Sequence, residues 1–414
     1  MKRDLQLLSV GTAIRTFGAA IYNPFLALFL FTILHVDYLE IGVIFVGLGV
    51  LQVPFGLFGG LWTDRVGRRR LIILSLLTEA LFTAVLAYAF QIQSLALAIA
   101  TAGFAGIILS ATGPAFSAYI ADWGVGSGRT MAFTWFRISF NAGFAAGVAI
   151  GGLLVTLVGF PEAVAISAVI IGMAAVFMLA FLGPSPYDLA LREGRPVSQD
   201  KATVSQKSRS MRESFSLLVA DRPALLTAFG FALVWLTASQ WSVTFPLFVH
   251  NKLGISYAIL GIGLALNGLV VVVGQFSTTR LVLGMRHTTI AILGGGLYVV
   301  AYLMLGFSAF WVLFPAAIFL VSVLVLTLGE NLGSIPTSTL PSNLAPPGEI
   351  GAYNGAFGAF LNTSALGAIF LGGVVLATVA NPLMEWVVMV LPAFPGFVLL
   401  KYAGTRIPAE KDRA

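Results

Sequence analysis

Twelve apolar segments, each long enough to cross a bilayer as a helix, dominate this sequence. A spanning helix needs roughly 20 mostly apolar residues, and several of these segments are longer. They are numbered here as spans 1 to 12 and lie at about residues 7–34, 40–62, 71–91, 94–120, 130–158, 162–183, 223–249, 256–279, 288–307, 309–335, 351–377 and 383–402. The sequence therefore predicts an all-α membrane protein with 12 transmembrane helices.

The composition also indicates a protein whose main solvent is lipid. Of the 414 residues, 58% are hydrophobic and 10% are charged, whereas about a quarter of a soluble domain is charged. Cysteine is absent and the three histidines are scattered, so we expect neither disulfides nor a metal cluster. The first apolar run is too long for a signal peptide and lacks a small-residue cleavage pattern, so it indicates a first spanning helix.

Lysine and arginine are distributed very unevenly between the two sides of the predicted spans. With the N-terminus placed inside and the sides alternating, the inside segments hold 20 of these residues and the outside segments hold only Lys252. This bias predicts cytoplasmic N- and C-termini in a multi-pass protein of the cell membrane (plasma or inner membrane). Topology and anionic lipid then account for the net charge of +6, so no nucleic-acid partner is expected.

A polar segment divides the spans into two sets of six. Residues 184–222 contain proline, serine and charges of both signs, as a linker does. We predict an N-terminal six-helix bundle at 1–183, a cytoplasmic linker at 184–222, and a C-terminal six-helix bundle with a short tail at 223–414. Tyr22-Asn23-Pro24 in span 1 has a counterpart in Thr244-Phe245-Pro246 of span 7, which suggests a repeat of the kind found in two-bundle transporters.

The loop between spans 2 and 3 contains charges that sidedness alone does not explain. Its sequence is GGLWTDRVGRRR at 59–70. If the loop served only to set the topology, lysines would do equally well, and neither the acid nor the glycines would be needed. Glycine permits close backbone approach and tight turns. The pattern reads Gly60-x-x-x-Asp64-Arg65-x-Gly67-Arg68-Arg69. It resembles the loop 2–3 motif of the major facilitator superfamily, and with the 12 spans and the central linker the resemblance covers essentially the whole chain.

The resemblance implies two six-helix bundles that work by alternating access. In that family the acid and arginines of the motif latch the bundles together at the inner face. By position, Asp64 would face the start of span 11 near residues 351–353, and Arg68 would pair with Asp122 at the inner end of span 4. Loop 8–9 has Thr278 where the acid would be, so we expect a mainly one-sided latch. The alternative is that the arginines only hold the loop inside.

Span 5 carries a second motif, made of small residues on about one helix face. Its glycines are Gly143, Gly147, Gly151 and Gly152. They resemble the GxxxGPxxGG motif of the superfamily's proton-coupled exporters, but Val148 stands at the proline position, which removes an expected kink. The resemblance implies an exporter that exchanges substrate for protons, and ordinary small-residue packing is the alternative.

Ionisable residues within the spans are costly and often mark function or a buried pair. Glu330 in span 10 is our main candidate for binding a proton or a cation, with a structural hydrogen bond as the alternative. Glu79 in span 3 lies at a similar depth to Arg15 in span 1 and Arg137 in span 5. These three predict either a buried ion-pair network or a direct role, in which Glu79 binds a proton and an unpaired arginine binds an anionic substrate. Asn141 lies on the same face as Arg137, one turn away.

Further polar and aromatic residues are candidates for a substrate cavity, because the resemblance implies that spans 1, 4, 7 and 10 line it. They are Tyr22, Asn23, Trp235, Gln240, Trp241, Asn267 and Asn331. The alternative for the aromatic residues among them is a position at the bilayer interface.

No catalytic constellation or phosphate-binding loop is visible, since GVGSG at 124–128 lacks the Lys-Ser/Thr ending. We therefore expect no enzymatic activity, metal or cofactor, and a proton gradient as the driving force. The leading prediction is a monomeric proton-coupled antiporter that exports small amphipathic or cationic compounds, as in multidrug efflux. Two alternatives remain: a uniporter or proton symporter for a small metabolite, including an anionic one, and a non-transporting membrane sensor or scaffold. The expected partners are a small-molecule substrate, protons and the lipid bilayer.

Overall fold

The computed structural model is helical through nearly all of the chain that it describes. It describes residues 3–123, 127–193, 216, 218–310, 314–346 and 349–413, without the side chains of residues 56–61, 64, 111, 127–130 and 276. Within these residues, 12 helices are long and apolar enough to cross a membrane. The predicted all-α, 12-span fold is confirmed.

The first six spans match the predicted segments closely. They are Arg3–Tyr22 continued by Leu26–Thr32, then Tyr38–Val66, Arg68–Gln91, Leu95–Asp122, Ser127–Val158 and Phe160–Phe181. Span 2 begins with a capping box, in which the Asp37 side chain accepts the Glu40 N–H while Glu40 accepts the Asp37 N–H. A short helix, Pro186–Arg192, follows span 6 in the predicted linker. It is called the linker helix below.

The last six spans depart further from prediction. They are Arg222–Ala238 continued by Thr244–Asn251, then Tyr257–Leu281, His287–Ser308, Pro315–Leu344, Ile350–Thr378, and Pro382–Val390 continued by Ala393–Arg406. Span 10 was predicted to end at 335, but its helix continues through Pro336 and Pro341. Proline is tolerated within spanning helices when neighbouring groups satisfy the freed backbone.

Spans 1 and 7 are both interrupted by a short 3₁₀ turn. The first turn is Asn23–Phe25, which contains Pro24, and the second is Ser239–Trp241. Pro246 lies in the first turn of the helix that follows the second break, so the two prolines are offset relative to the breaks. A proline therefore lies at or near both interruptions, but its position relative to the 3₁₀ turn differs between spans 1 and 7.

The chain divides into two compact units. The first comprises residues 1–198 with 256–269, and the second comprises 199–255 with 270–414. Span 8 therefore begins in the first unit and ends in the second.

Glycines of span 5 set its packing within the first unit. Gly143, Gly147 and Gly151 lie one turn apart, and a Cβ atom at any of them would collide with a main-chain carbonyl group of span 1. These carbonyl groups belong to Ala13, Phe17 and Ile21. A Cβ at Gly152 would collide with the Tyr257 carbonyl group of span 8 and would lie 3.2 Å from the Gly261 Cα atom. These contacts are possible only because glycine has no side chain. The glycines therefore fix the rotation of span 5 about its own axis.

Candidate functional site

A cavity of about 450 Å³ lies within the first unit, between spans 1, 4 and 5. Its wall is mainly apolar, with a few hydroxyl groups, one amide and one guanidinium. The principal lining residues are Thr12, Arg15, Thr16 and Asn23 of span 1, Thr112, Phe116 and Ser117 of span 4, and Phe136, Phe140 and Phe144 of span 5. A cavity of this size, mostly apolar with a few polar groups, suits a small organic molecule.

Helical periodicity explains how spans 1 and 5 build this wall. Thr12, Thr16 and Asn23 are spaced by four and seven residues, so they share one face of span 1. Phe136, Phe140 and Phe144 are spaced by four and form a ladder of rings on span 5. The Thr12 hydroxyl donates to the Leu8 carbonyl at 2.7 Å, whereas the buried Thr16 hydroxyl oxygen has no hydrogen-bond partner among the described residues.

Arg15 and Glu79 form a buried ion pair in this wall. Arg15 Nε donates to Glu79 Oε2 at 2.9 Å, and Nη2 donates to Glu79 Oε1 at 2.6 Å. Arg15 borders the cavity, while Glu79 lies behind it in a crevice beside Ser75 and Leu76. The carboxylate therefore balances the guanidinium charge, and Nη1 is the nitrogen left for another acceptor.

Tyr22 lies close to this ion pair but does not border the cavity. It is buried, within electrostatic range of Glu79 and Arg15, and its hydroxyl forms a hydrogen bond with the Thr83 side chain. Asn23, the next residue, is exposed and lines the cavity at the break in span 1. The break thus turns two adjacent polar residues in different directions.

Arg137 does not join the Arg15–Glu79 pair. Its side chain is exposed and forms no ion pair with any residue that the structure describes. The interpretation of one buried network of three charges is therefore wrong for Arg137. The reason is helix rotation: Gly143, six residues on, faces span 1, and six residues correspond to about 600°, which turns Arg137 about 120° away. Asn141 is partly exposed on the same face as Arg137.

Glu330 and its neighbours form a separate polar region in the second unit. Glu330 is partly buried and lies within electrostatic range of the hydroxyl groups of Tyr298 and Tyr302. Asn331 is fully buried, and its Nδ2 donates to the Val270 carbonyl at 3.4 Å. Its Oδ1 is buried without a hydrogen-bond partner among the described residues.

Gln240 lies at the break in span 7. It is fully buried, and its Oε1 accepts a hydrogen bond from Thr244 Oγ1 at 2.7 Å. Trp235 and Trp241 are both partly buried, and the Trp241 ring lies 4.7 Å from that of Phe245. The remaining predicted candidate, Asn267, is buried in the part of span 8 that belongs to the first unit.

The loop 2–3 motif makes several contacts within the first unit. The Arg68 guanidinium pairs with Asp122, as the resemblance implies, and donates to the Ala118 carbonyl at 2.6 Å. Arg69 donates to carbonyl groups at the end of span 6, whereas Arg65 is exposed. Gly67 has φ of 91°, a conformation that favours glycine. The surroundings of Gly60 and the Asp64 side chain lie outside the described residues, so the predicted contact of Asp64 stays a prediction.

Sequence reasoning missed most of the cavity wall. It selected Arg15 and Asn23 but not the threonines of span 1, the residues of span 4, or the phenylalanines of span 5. The four-residue spacing of Phe136, Phe140 and Phe144 was a readable signal, but apolar residues at this spacing are also what a lipid-facing surface presents. The predicted candidates of the second unit do not border this cavity.

The described residues form 12 helices able to span a membrane, and three helices of the first unit enclose a cavity with a buried ion pair in its wall, as expected for a membrane transport protein. Residues 8–371 match the family description "Major Facilitator Superfamily". The chain belongs to this superfamily, and it is a multi-pass membrane transporter rather than an enzyme.

Individual relatives support the same classification. The chain is 24% identical to the uncharacterized MFS-type transporter YttB of Bacillus subtilis over 90% of this chain and 87% of that protein. It is 30% identical to the class E tetracycline resistance protein of Escherichia coli, over 55% of this chain and 53% of the relative. For the class B protein of Escherichia coli the identity is 28%, over 67% of this chain and 66% of the relative.

Solved transporter structures share the fold. The nucleoside transporter NupG superposes with a TM-score of 0.71 at 17% identity, covering 98% of this chain and 99% of that one. A D-xylose–proton symporter superposes with a TM-score of 0.69 at 14% identity, covering 99% of both chains.

Proposed function

We propose that this chain is a secondary active transporter of the cell membrane that exports small amphipathic or cationic compounds in exchange for protons. It would act as a monomer by alternating access. The observation that carries the proposal is the first unit's cavity, where the Arg15–Glu79 pair lies in a wall of aromatic and hydroxyl side chains. The relatives named for tetracycline resistance support export of an organic compound.

The cavity wall favours a compound with a flat apolar body and a polar edge. The rings of Phe136, Phe140 and Phe144 offer an apolar surface at one-turn intervals. The Thr16 hydroxyl and Arg15 Nη1 supply hydrogen-bonding groups in the span 1 part of the wall. Because Glu79 balances the Arg15 charge, this wall does not demand an anion. Glu330 is a separate candidate, in the second unit, for binding a proton or a cation.

Two acids account for coupling to protons. A proton on Glu79 would remove the negative partner of Arg15, so the guanidinium charge would face the cavity and repel a cationic substrate. Proton binding would therefore favour substrate release. Glu330 would take up a proton as the substrate leaves and lose it on the other side of the membrane, since acids within spanning helices often mark proton relays.

One observation favours a second candidate, a uniporter or proton symporter for a small anion. Arg15 borders the cavity and keeps Nη1 without a hydrogen bond to the described residues. A carboxylate could bind there if Glu79 were protonated, because the charge of Arg15 would then be unbalanced.

Purified protein in liposomes with an imposed pH gradient tests these proposals. Ethidium and tetracycline serve as probes for export, and benzoate serves as the anionic probe. We expect ethidium or tetracycline movement to accelerate with the gradient and to slow when an ionophore dissipates it. Movement indifferent to the gradient would reject antiport, and accumulation of benzoate alone would replace it with the anion transporter.

Matched variants then test the two acids. Glu79→Gln and Glu330→Gln should each remove the dependence on the pH gradient, while Glu162→Gln, a change of an exposed acid at the start of span 6, should not. If all three variants kept the dependence, neither acid would couple transport to protons.

A further inference from the structure

Each unit has a glycine with a positive φ angle, followed by an arginine, where its third span begins. Gly67 has φ of 91° and immediately precedes span 3, while Gly284 has φ of 84° and lies three residues before span 9. An arginine follows each glycine by two positions, Arg69 in the first unit and Arg286 in the second. Spans 3 and 9 are the third spans of their sets of six, so the two arrangements occupy equivalent places in the repeat.

Both arginines bind main-chain carbonyl groups at the end of the last span of their set. Arg69 Nη2 donates to the Leu179 carbonyl at 2.7 Å, and its Nε donates to the Leu182 carbonyl. Arg286 Nη1 donates to the Gly404 carbonyl in the last turn of span 12. The final carbonyl groups of a helix lack partners within the helix, and a cation there also complements the helix dipole.

In the first unit, an acid of the linker helix completes the arrangement. Asp188 is buried; its Oδ1 accepts the Arg68 N–H at 2.6 Å, and its Oδ2 accepts the Arg69 N–H at 3.1 Å. The first N–H groups of a helix have no partner within it, so this carboxylate caps span 3. A Cβ on Gly67 would lie 2.9 Å from Asp188 Oδ1, so the glycine also makes room for the acid.

In the second unit, an acid of the C-terminal tail occupies the equivalent place. Asp412 is fully buried; its Oδ1 accepts the Thr288 N–H at 3.0 Å, and its Oδ2 accepts the Thr288 hydroxyl at 2.7 Å. Its main-chain carbonyl accepts the His287 N–H at 2.6 Å. Arg286 Nη1 lies 3.9 Å from Asp412 Oδ2, which links the arginine and the acid directly.

The Arg68–Asp122 ion pair is not repeated in this way. Met285 corresponds to Arg68, since it directly follows Gly284. In this register Leu281, and not Thr278 as the sequence comparison had it, stands at the position of Asp64. The element common to both units is therefore the arginine with its capping acid, and the ion pair of the first unit is an addition to it.

We propose that Asp188 and Asp412 are equivalent positioning residues for the transport cycle. Each ties the segment after the last span of its set to the start of the third span, and so fixes the backbone that carries the loop arginines. The linker helix and the C-terminal tail thereby keep loops 2–3 and 8–9 in one conformation while each unit moves. Loss of either acid lowers turnover and leaves substrate affinity unchanged, because neither residue borders the cavity.

Hydrogen–deuterium exchange on the purified full chain tests the contacts without any substrate. Asp188→Ala should raise exchange about fivefold in the first turn of span 3, the size expected for a lost N-cap, and should leave span 9 unchanged. Asp412→Ala should do the reverse. Asp188→Asn retains one acceptor oxygen and should give a smaller increase. The matched controls are Glu193→Ala and Glu410→Ala, which alter exposed acids in the same two segments.

Unchanged exchange in both alanine variants would overturn the proposal, as would an increase that spreads equally over both units. Ethidium transport by the same variants tests the effect on turnover, and this arm alone rests on the proposed function. We expect Vmax to fall with KM constant within about twofold, whereas a raised KM at constant Vmax would contradict a positioning role. Absence of ethidium transport in the wild type would count against the proposed export. The exchange results would still show whether Asp188 and Asp412 hold the starts of spans 3 and 9.

Discussion

Arg15 and Glu79 connect spans 1 and 3 through two hydrogen bonds of an ion pair, at 2.9 and 2.6 Å. Both residues are buried, with 9% and 6% of their surface exposed. Removing two charges from water is costly, and their attraction offsets this cost only while both partners remain. The pair therefore makes the cavity wall sensitive to the loss of either charge.

The first prediction concerns this dependence. Arg15→Gln and Glu79→Gln should each lower the melting temperature, because each leaves one buried charge without its partner, at a cost of about 3–5 kcal/mol. The double variant Arg15→Met with Glu79→Leu should melt closer to the wild type, since it removes both charges. Scanning fluorimetry in detergent measures all three, with Glu162→Gln as the control. A double variant as unstable as the sum of the singles would contradict the prediction.

A second prediction tests the glycine contact between spans 1 and 5. Gly147→Ala should destabilise the protein by about 1–3 kcal/mol, because the added methyl group collides with the Phe17 carbonyl. Gly47→Ala is the matched control, since Gly47 also lies in a spanning helix and a Cβ atom there would meet nothing within 4 Å. That variant should be neutral or up to about 1 kcal/mol more stable, as alanine favours helix over glycine. Equal melting temperatures for the two variants would show that span 5 can shift freely.

The 12 spans could be predicted because length and apolar character are properties of single segments. The irregular points depend on side-chain contacts and were harder to read. Span 10 continues past Pro336, where sequence rules place an end. The linker helix had a local signal, since Ser185 and Asp188 form a capping box at its start, but a polar segment rich in proline and serine indicated only a linker.

The candidate site was predicted in part, for a similar reason. Charges within spans stand out in a sequence because they are costly there, so Arg15 and Glu79 were found. Their pairing, and the exclusion of Arg137, depend on the rotation of each helix. That rotation is fixed by contacts such as Gly147 against Phe17, which join distant parts of the chain. The phenylalanines of the cavity wall need the same information to be distinguished from lipid-facing residues.

The third prediction separates Arg137 from Arg15. Arg137→Gln should leave the melting temperature nearly unchanged, because exposed side chains without a described ion pair contribute within about 0.5 kcal/mol. Arg15→Gln in the same detergent should be clearly less stable. If Arg137→Gln were as unstable as Arg15→Gln, Arg137 would have a structural role that its exposure does not indicate.

The last prediction concerns substrate contact with the aromatic wall. Phe140→Ala should raise the KM for ethidium about tenfold, because the ring lines the cavity and Phe140 has 40% of its surface exposed. A tenfold change corresponds to the loss of an apolar contact of roughly 1.5 kcal/mol. Phe181→Ala is the matched control, since Phe181 is 54% exposed at the end of span 6 and does not line the cavity. Initial rates of ethidium movement in liposomes give both KM values, and scanning fluorimetry checks that both variants remain folded. Equal KM values for Phe140→Ala and the wild type would argue against binding of the probe in this cavity, because Phe140 is the middle ring of the ladder that lines it.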